Sequence, residues 1–398
     1  MELLKAFSVL TVFALIVTYF AERCITASAD GDTAAVTVST EAEDEPFDLN
    51  ECRSAVVYEC ETGTLLAGKN EHQLYSAGHL SKLMTALLAA EQIELGELSV
   101  DDTAVCSEKA NSQGDPQIWL DRGEKITVDE LLKAICIGNA NDADVALCEK
   151  MYKSNEAFTE ALNCKGKMLF EDRTSFEPSA DKTMIARISA FDAAKLCSQI
   201  AKHQTLTGYY TTWMDNVRGG KVELVSRNRL IRSYKGIVGF KICFTEGVGY
   251  TAAVCAKRGD MTVCVVLMGV DDEDHLFYRC KDLLDKAFSA YEVFIPEVPE
   301  EAIARIKISH GEKSEFSVNV ISLRPVVIRR GRRKDIECRY ELLTEQQAPV
   351  FVGTPVGKVE YSLDGRVLTE ADICSAERVD EASIGFNFRR ILLNLLKM

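Results

Sequence analysis

Tyr75-Ser76-Ala77-Gly78-His79-Leu80-Ser81-Lys82-Leu83-Met84-Thr85-Ala86 is the stretch on which the reading of this chain turns. Leu80, Leu83, Met84, Leu87 and Leu88 recur at i, i+3 and i+4, the spacing of a helix with one buried face. His79 and Lys82 stand three residues apart, so their side chains stack at the start of that helix. Ser76 lies six residues before Lys82 and Ser81 beside it; at about 100° per residue neither serine shares the position of His79.

Working outward, Ser54 to Tyr58 is a β-branched run ended by Thr62-Gly63. Downstream, helical spacing recurs at about 128–138, 142–164 and 189–202. Strand-like runs follow at about 236–242, 249–257 and 261–269, and then a helix at about 275–291. A strand first, helices in the middle and strands last predict an α/β domain over 51–294, its sheet completed by distant segments around a helical insert. Pro296 and Pro299 mark a boundary. Short alternating segments with glycine turns over 295–379 predict a small all-β domain. Within 380–398, Phe388, Ile391, Leu392, Leu395 and Leu396 fall on one helix face beside Arg389, Arg390 and Lys397. This predicts an interfacial amphipathic helix, too short to span a bilayer; the other reading is a helix docked on the β domain.

The chain has 398 residues and a formal charge of −15, which argues against a nucleic-acid partner. Met1 to Lys5, an apolar run to Ala21 and Ala27-Ser28-Ala29 form a signal-peptide pattern over 1–29, and hence predict an exported protein. An uncleaved anchor is the alternative. Residues 30–50 are acidic and of low complexity, the composition of a tether. Arg329-Arg330-Gly331-Arg332-Arg333-Lys334 reads either as a solvated hairpin tip or as a contact with anionic lipid or wall polymer.

The Lys82 segment resembles the active-site helix of the serine-type D-alanyl-D-alanine carboxypeptidases, the low-molecular-weight penicillin-binding proteins that trim peptidoglycan stem peptides. Further matches are Thr62-Gly63 before Lys69-Asn70, Asn141-Asp142-Ala143 after Leu131-Leu132, and Asn228-Arg229-Leu230 ahead of Gly236-Ile237-Val238-Gly239-Phe240-Lys241. The resemblance implies a β-lactamase/transpeptidase-like domain, a C-terminal β domain, and attachment to the outer face of the cytoplasmic membrane through 384–398. It implies no cofactor.

That family's chemistry uses three constellations, and each is altered here. In Ser-x-x-Lys the lysine takes the proton of the nucleophilic hydroxyl; Lys82 fits, but His79 stands where the serine belongs. In Ser-x-Asn a second hydroxyl relays protons; the aligned triplet is Asn139-Ala140-Asn141, and an amide cannot shuttle a proton. In Lys-Thr-Gly the lysine and threonine grip a terminal carboxylate beside an open glycine; here Lys241-Ile242-Cys243 keeps only the charge, and the thiol is expected to narrow the cleft. The resemblance further implies an oxyanion hole from the N–H groups of His79 and Phe244. Cys164-Lys165-Gly166-Lys167 is another Ser/Cys-x-x-Lys match, but it lacks the flanking apolar pattern.

The favoured reading is an exported wall protein, catalytically inactive, that binds peptidoglycan stem peptides or wall enzymes. Alternatives are an active carboxypeptidase with rewired catalysis and a scaffold with an occluded cleft. Lys82, Asn141 and Lys241 read either as a cationic cleft for a carboxylate-ended peptide or as packing remnants. The five histidines, His72, His79, His203, His275 and His310, show no metal-ligand spacing. Of 14 cysteines, loss of Cys24 with the signal leaves an odd number. Cys136, Cys148, Cys255 and Cys264 fall in apolar patterns, so mostly free, buried thiols are expected.

Overall fold

A computed structural model describes residues 47–386 and 388, apart from 153, 171–173 and 179–183. The expected signal peptide and nearly all of the expected tether and terminal helix lie outside the described residues. Packing begins inside the stretch read as tether, because Phe47 is apolar and stacks on Tyr291 with ring centroids 6.3 Å apart.

Five antiparallel strands form the main sheet: β1 (Ser54–Glu59), β2 (Thr64–Lys69), β3 (Ile237–Thr245), β4 (Gly249–Arg258) and β5 (Met261–Val270). Their spatial order is β3–β4–β5–β1–β2, so the first strand of the domain closes against its last hairpin. All ten residues of β5 are buried, which is why its apolar run is unbroken. The β1–β2 turn is held from inside. The buried Glu59 carboxylate accepts the Thr62 N–H at 2.7 Å, the Thr62 hydroxyl at 2.8 Å and the Thr262 N–H at 3.0 Å.

Between β2 and β3 come α1 (Ser81–Glu94), α2 (Val128–Cys136), α3 (Asn141–Met151), α4 (Asn155–Leu169), α5 (Ala190–Ile200) and α6 (Gln204–Thr211); α7 (Glu273–Ala290) follows β5. The single helix expected over 142–164 is two. Tyr152 is extended, and the Ser154 hydroxyl accepts the Ala157 N–H at 3.1 Å, giving α4 its own start. On one sheet face α7 lays Leu276, Leu283, Leu284 and Ala287 into a core with Val263, Val265 and Leu267. Each such leucine contributes about 1.5–3 kcal/mol by leaving water. Against the other face packs α5, whose Phe191 meets Tyr58 edge-on at 5.9 Å.

Beyond α7, β6 (Tyr291–Phe294) pairs with β8 (Val326–Arg329), while β7 (Val318–Val320), β9 (Glu337–Leu342), β10 (Pro355–Leu363) and β11 (Arg366–Ser375) form a sheet in the order β7–β11–β10–β9. The boundary at Pro296–Pro299 is therefore crossed by a strand pair. The basic turn serves this junction. Arg330 donates to the carbonyls of Phe288 at 2.9 Å and Tyr291 at 3.1 Å, Arg333 donates to that of Val293 at 2.9 Å, and Arg329 stacks over Tyr291. Arg332 is paired with Asp335 and Asp364. Arg329, Arg330 and Arg333 thus brace the junction, while Arg330, Arg333 and Lys334 stay exposed. A helix opens at residue 384, where Ile384 is 92% exposed; the rest of the expected amphipathic face lies outside the described residues, apart from Phe388.

Candidate active site

The site lies where the start of α1 meets the sheet edge β3 and the α2–α3 loop. A 3-10 turn, Gly78–Leu80, leads into α1 and is pressed against β3. Gly78 has φ 49°, and a Cβ added there would lie 2.3 Å from Thr245 Oγ1, so no other residue fits without displacement.

Lys82 is 4% exposed. Its ammonium donates to Asn141 Oδ1 at 2.5 Å and to the Asn139 carbonyl, and faces His79 Nδ1 at 3.3 Å. Lys241, 1% exposed, donates to the Ile135 carbonyl and to Asn139 Oδ1, each at 2.5 Å. Its ammonium sits at the C-terminus of α2, where unsatisfied carbonyls and the helix dipole favour a cation, and lies 5.5 Å from the Tyr210 ring centre. Asn139 joins the two lysines, one through its carbonyl and one through its side chain. It does so from a left-handed backbone, φ 59°, that asparagine tolerates better than most residues.

Asn141 is a bridge as well, since its Nδ2 donates to the carbonyls of Gly114 at 2.9 Å and Asp115 at 3.1 Å. Next to it, the buried Asp142 carboxylate accepts N–H bonds from Ile118 at 3.0 Å, Leu120 at 3.0 Å and Ala143 at 2.8 Å. Asp142 stood inside the quoted match, yet its spacing carried no sign of this loop-holding role. Arg227 was also missed; its charge reaches His79, and its guanidinium meets Glu273 at 3.2 Å.

Burial drives the electrostatics. It pulls Lys82 down to about 8 and Lys241 down to about 8. His79 is lowered to about 3, first by burial and then by the charges of Lys82, Lys241 and Arg227. A neutral His79 facing an ammonium must accept at Nδ1, which assigns its proton to Nε2.

Not every expected residue enters the site. Ile242, expected to bind substrate, alternates to the opposite sheet face and joins the core with Ala55, Val57 and Leu276. The side chain of Phe244 is exposed and meets Tyr250 edge-on at 5.1 Å. Lys241 is enclosed by carbonyls rather than presented to a ligand. Cys243 is 1% exposed, and its thiol lies beside the His79 backbone and Thr245. Ser81 donates to the Gly78 carbonyl at 2.9 Å and Ser76 pairs in a short strand with Arg187, so neither hydroxyl serves Lys82. Cys164 is exposed and Lys165 is paired with Glu91.

The family described as D-alanyl-D-alanine carboxypeptidase matches residues 37–272. The chain belongs to the D-alanyl-D-alanine carboxypeptidase family. The C-terminal domain of penicillin-binding protein 5 matches residues 299–381. The D-alanyl-D-alanine carboxypeptidase DacF of Bacillus subtilis is 30% identical over 338 residues, covering 84% of this chain and 87% of the relative. DacC of Escherichia coli is 25% identical over 340 residues, covering 83% and 85%. Penicillin-binding protein 5 of Haemophilus influenzae has the same fold, with a TM-score of 0.73 at 23% identity over 83% of this chain and 98% of that one. The β-lactamase/transpeptidase-like fold and its following β domain are those of the family.

Within this carboxypeptidase frame the depressed lysines and histidine predict a pH signature. An unfolded lysine keeps its proton to about 10.5 and these two lose theirs at about 8, so the folded state binds fewer protons between those values. Their stabilising contribution is complete above about 10.5 and is lost as pH falls through about 8. His79 acts in the same direction lower down: its contribution is complete above 6.5 and is lost as pH falls toward about 3. Urea unfolding from pH 7 to 3 is expected to show a shallower loss of stability in His79→Gln than in wild type. Parallel curves would contradict a neutral, buried His79.

Proposed function

We propose that this chain is an exported cell-wall member of the carboxypeptidase family that recognises the D-Ala-D-Ala end of peptidoglycan stem peptides without forming an acyl-enzyme. The observation that carries the reading is the pairing of Lys82 with an imidazole instead of a hydroxyl, beside the fully buried Cys243. A base without a hydroxyl nucleophile beside it does not support attack on an amide. Function follows the site rather than the fold.

For recognition, Arg227 offers the cation that Lys241 cannot, since its side chain is 52% exposed and its field reaches His79. Attachment at the outer face of the cytoplasmic membrane through 384–398 belongs to the same proposal. A second reading, turnover by rewired catalysis, is favoured by one observation: at a pKa of about 8, roughly a tenth of Lys82 is neutral at pH 7 and could act as a base.

Calorimetric titration with a D-Ala-D-Ala-ended tripeptide, alongside an assay for free D-alanine, separates these readings. The proposal expects saturable binding, about tenfold weaker in Arg227→Ala, and no D-alanine. Release of D-alanine that disappears in Lys82→Ala would favour the enzyme. Absence of binding would leave only a scaffold.

A further inference from the structure

Three buried thiols meet on the α5 face of the sheet, far from the Lys82 site in sequence and on other elements. The Sγ atoms of Cys197, Cys255 and Cys264 all lie within 4.8 Å of one another. A fourth thiol, Cys60, neighbours Cys255 and Cys264. Cys197, Cys255 and Cys264 are 0% exposed and Cys60 is 6% exposed.

The sheet register explains the convergence. Cys255 of β4 and Cys264 of β5 are direct partners, and direct partners point to the same face. Cys264 also pairs with Tyr58 of β1, so Cys60, two residues on, lies diagonal to it on that face. This is the face toward α5, as the Tyr58–Phe191 contact requires, and α5 carries Cys197. The Ser198 hydroxyl, next along α5, donates to the Cys60 carbonyl at 2.9 Å and holds that segment in place.

We infer that Cys60, Cys197, Cys255 and Cys264 form a buried four-sulfur site for zinc. Tetrahedral zinc with Zn–S bonds of about 2.3 Å sets its sulfurs about 3.8 Å apart, within the spread that Cys197, Cys255 and Cys264 already have, and Cys60 stands next to them as the fourth ligand. Soft thiolates from a closed, water-free site suit zinc in its structural role. Binding would replace the four thiol protons by one Zn²⁺, leaving a four-thiolate centre of charge −2 and releasing the protons to water. The ion would tie the first strand, the helical insert and the last hairpin, which are joined only through long stretches of chain. No C-x-x-C spacing announces the site, because the ligands are separated by 137, 58 and 9 positions; the histidine-based expectation of no metal site did not test it.

Elemental analysis of the full chain, purified without chelator and then titrated with Zn²⁺, is expected to give about one zinc per chain. Co²⁺ in its place should produce the visible absorption of tetrahedral thiolate-bound cobalt. Cys197→Ser and Cys264→Ser should lose the metal, whereas Cys164→Ser and Cys338→Ser, at exposed cysteines, should keep it. Because the buried variants can fail to fold, the wild-type measurements decide alone. Wild type that takes up neither Zn²⁺ nor Co²⁺, or a non-reduced peptide map joining any two of the four cysteines, would overturn the inference.

Discussion

Intact-mass spectrometry of the purified protein after incubation with excess benzylpenicillin is expected to return the unmodified mass. A β-lactam is opened by an activated serine hydroxyl three residues before the lysine. Here that position is His79, whose Nδ1 lone pair faces the Lys82 ammonium and whose other nitrogen carries the proton. In serine hydrolases loss of the nucleophile costs about 10⁶ in kcat, so even generous exposure should leave no adduct. His79→Ser restores the hydroxyl but leaves the buried Cys243 side chain, where the family keeps an open glycine, packed beside residue 79. Only His79→Ser combined with Cys243→Gly is expected to accumulate an acyl adduct, with the single variants far slower. An adduct on wild type would sink the non-acylating reading, and its peptide map would identify the true nucleophile.

Asp142→Ala is expected to destabilise the protein by about 3–5 kcal/mol, the largest single-site loss we predict. The carboxylate is fully buried and satisfies the N–H groups of Ile118, Leu120 and Ala143, none of which gains another acceptor when it is removed. The 114–120 loop would lose its anchor, and with it the carbonyls of Gly114 and Asp115 that orient Asn141. Urea denaturation measures the loss. Asp142→Asn, which keeps one acceptor oxygen, should fall between wild type and alanine. A cost below about 1 kcal/mol for the alanine variant would show that the loop is held by other contacts.

The site was legible wherever spacing alone places a side chain. His79 and Lys82 are three apart on one helix, so their contact followed from the sequence; Asn139 and Asn141 followed from the resemblance, and the structure joins all four. Ile242 was misplaced because motif reading treats three consecutive residues as a unit, whereas an extended strand sends the middle one to the other face. For Lys241 and the basic turn the sequence left two readings open for a related reason. A positive charge in a sequence suggests a ligand, but both find their partners in carbonyls brought from other elements.

The sequence by itself determined the order of elements, the sheet closed by distant segments, and the loss of the serine. Those properties reside in local periodicity and in the identity of single residues. Only the tertiary structure decided which side chains meet: the buried Cys243 beside residue 79, two lysines joined by one left-handed asparagine, and Cys197, Cys255 and Cys264 gathered between one helix and one sheet face. Such contacts depend on strand register and on helix placement across long stretches of chain. No local pattern encodes them, because a one-residue change of register would send Lys241, Cys243, Cys255 and Cys264 to the opposite face of the sheet.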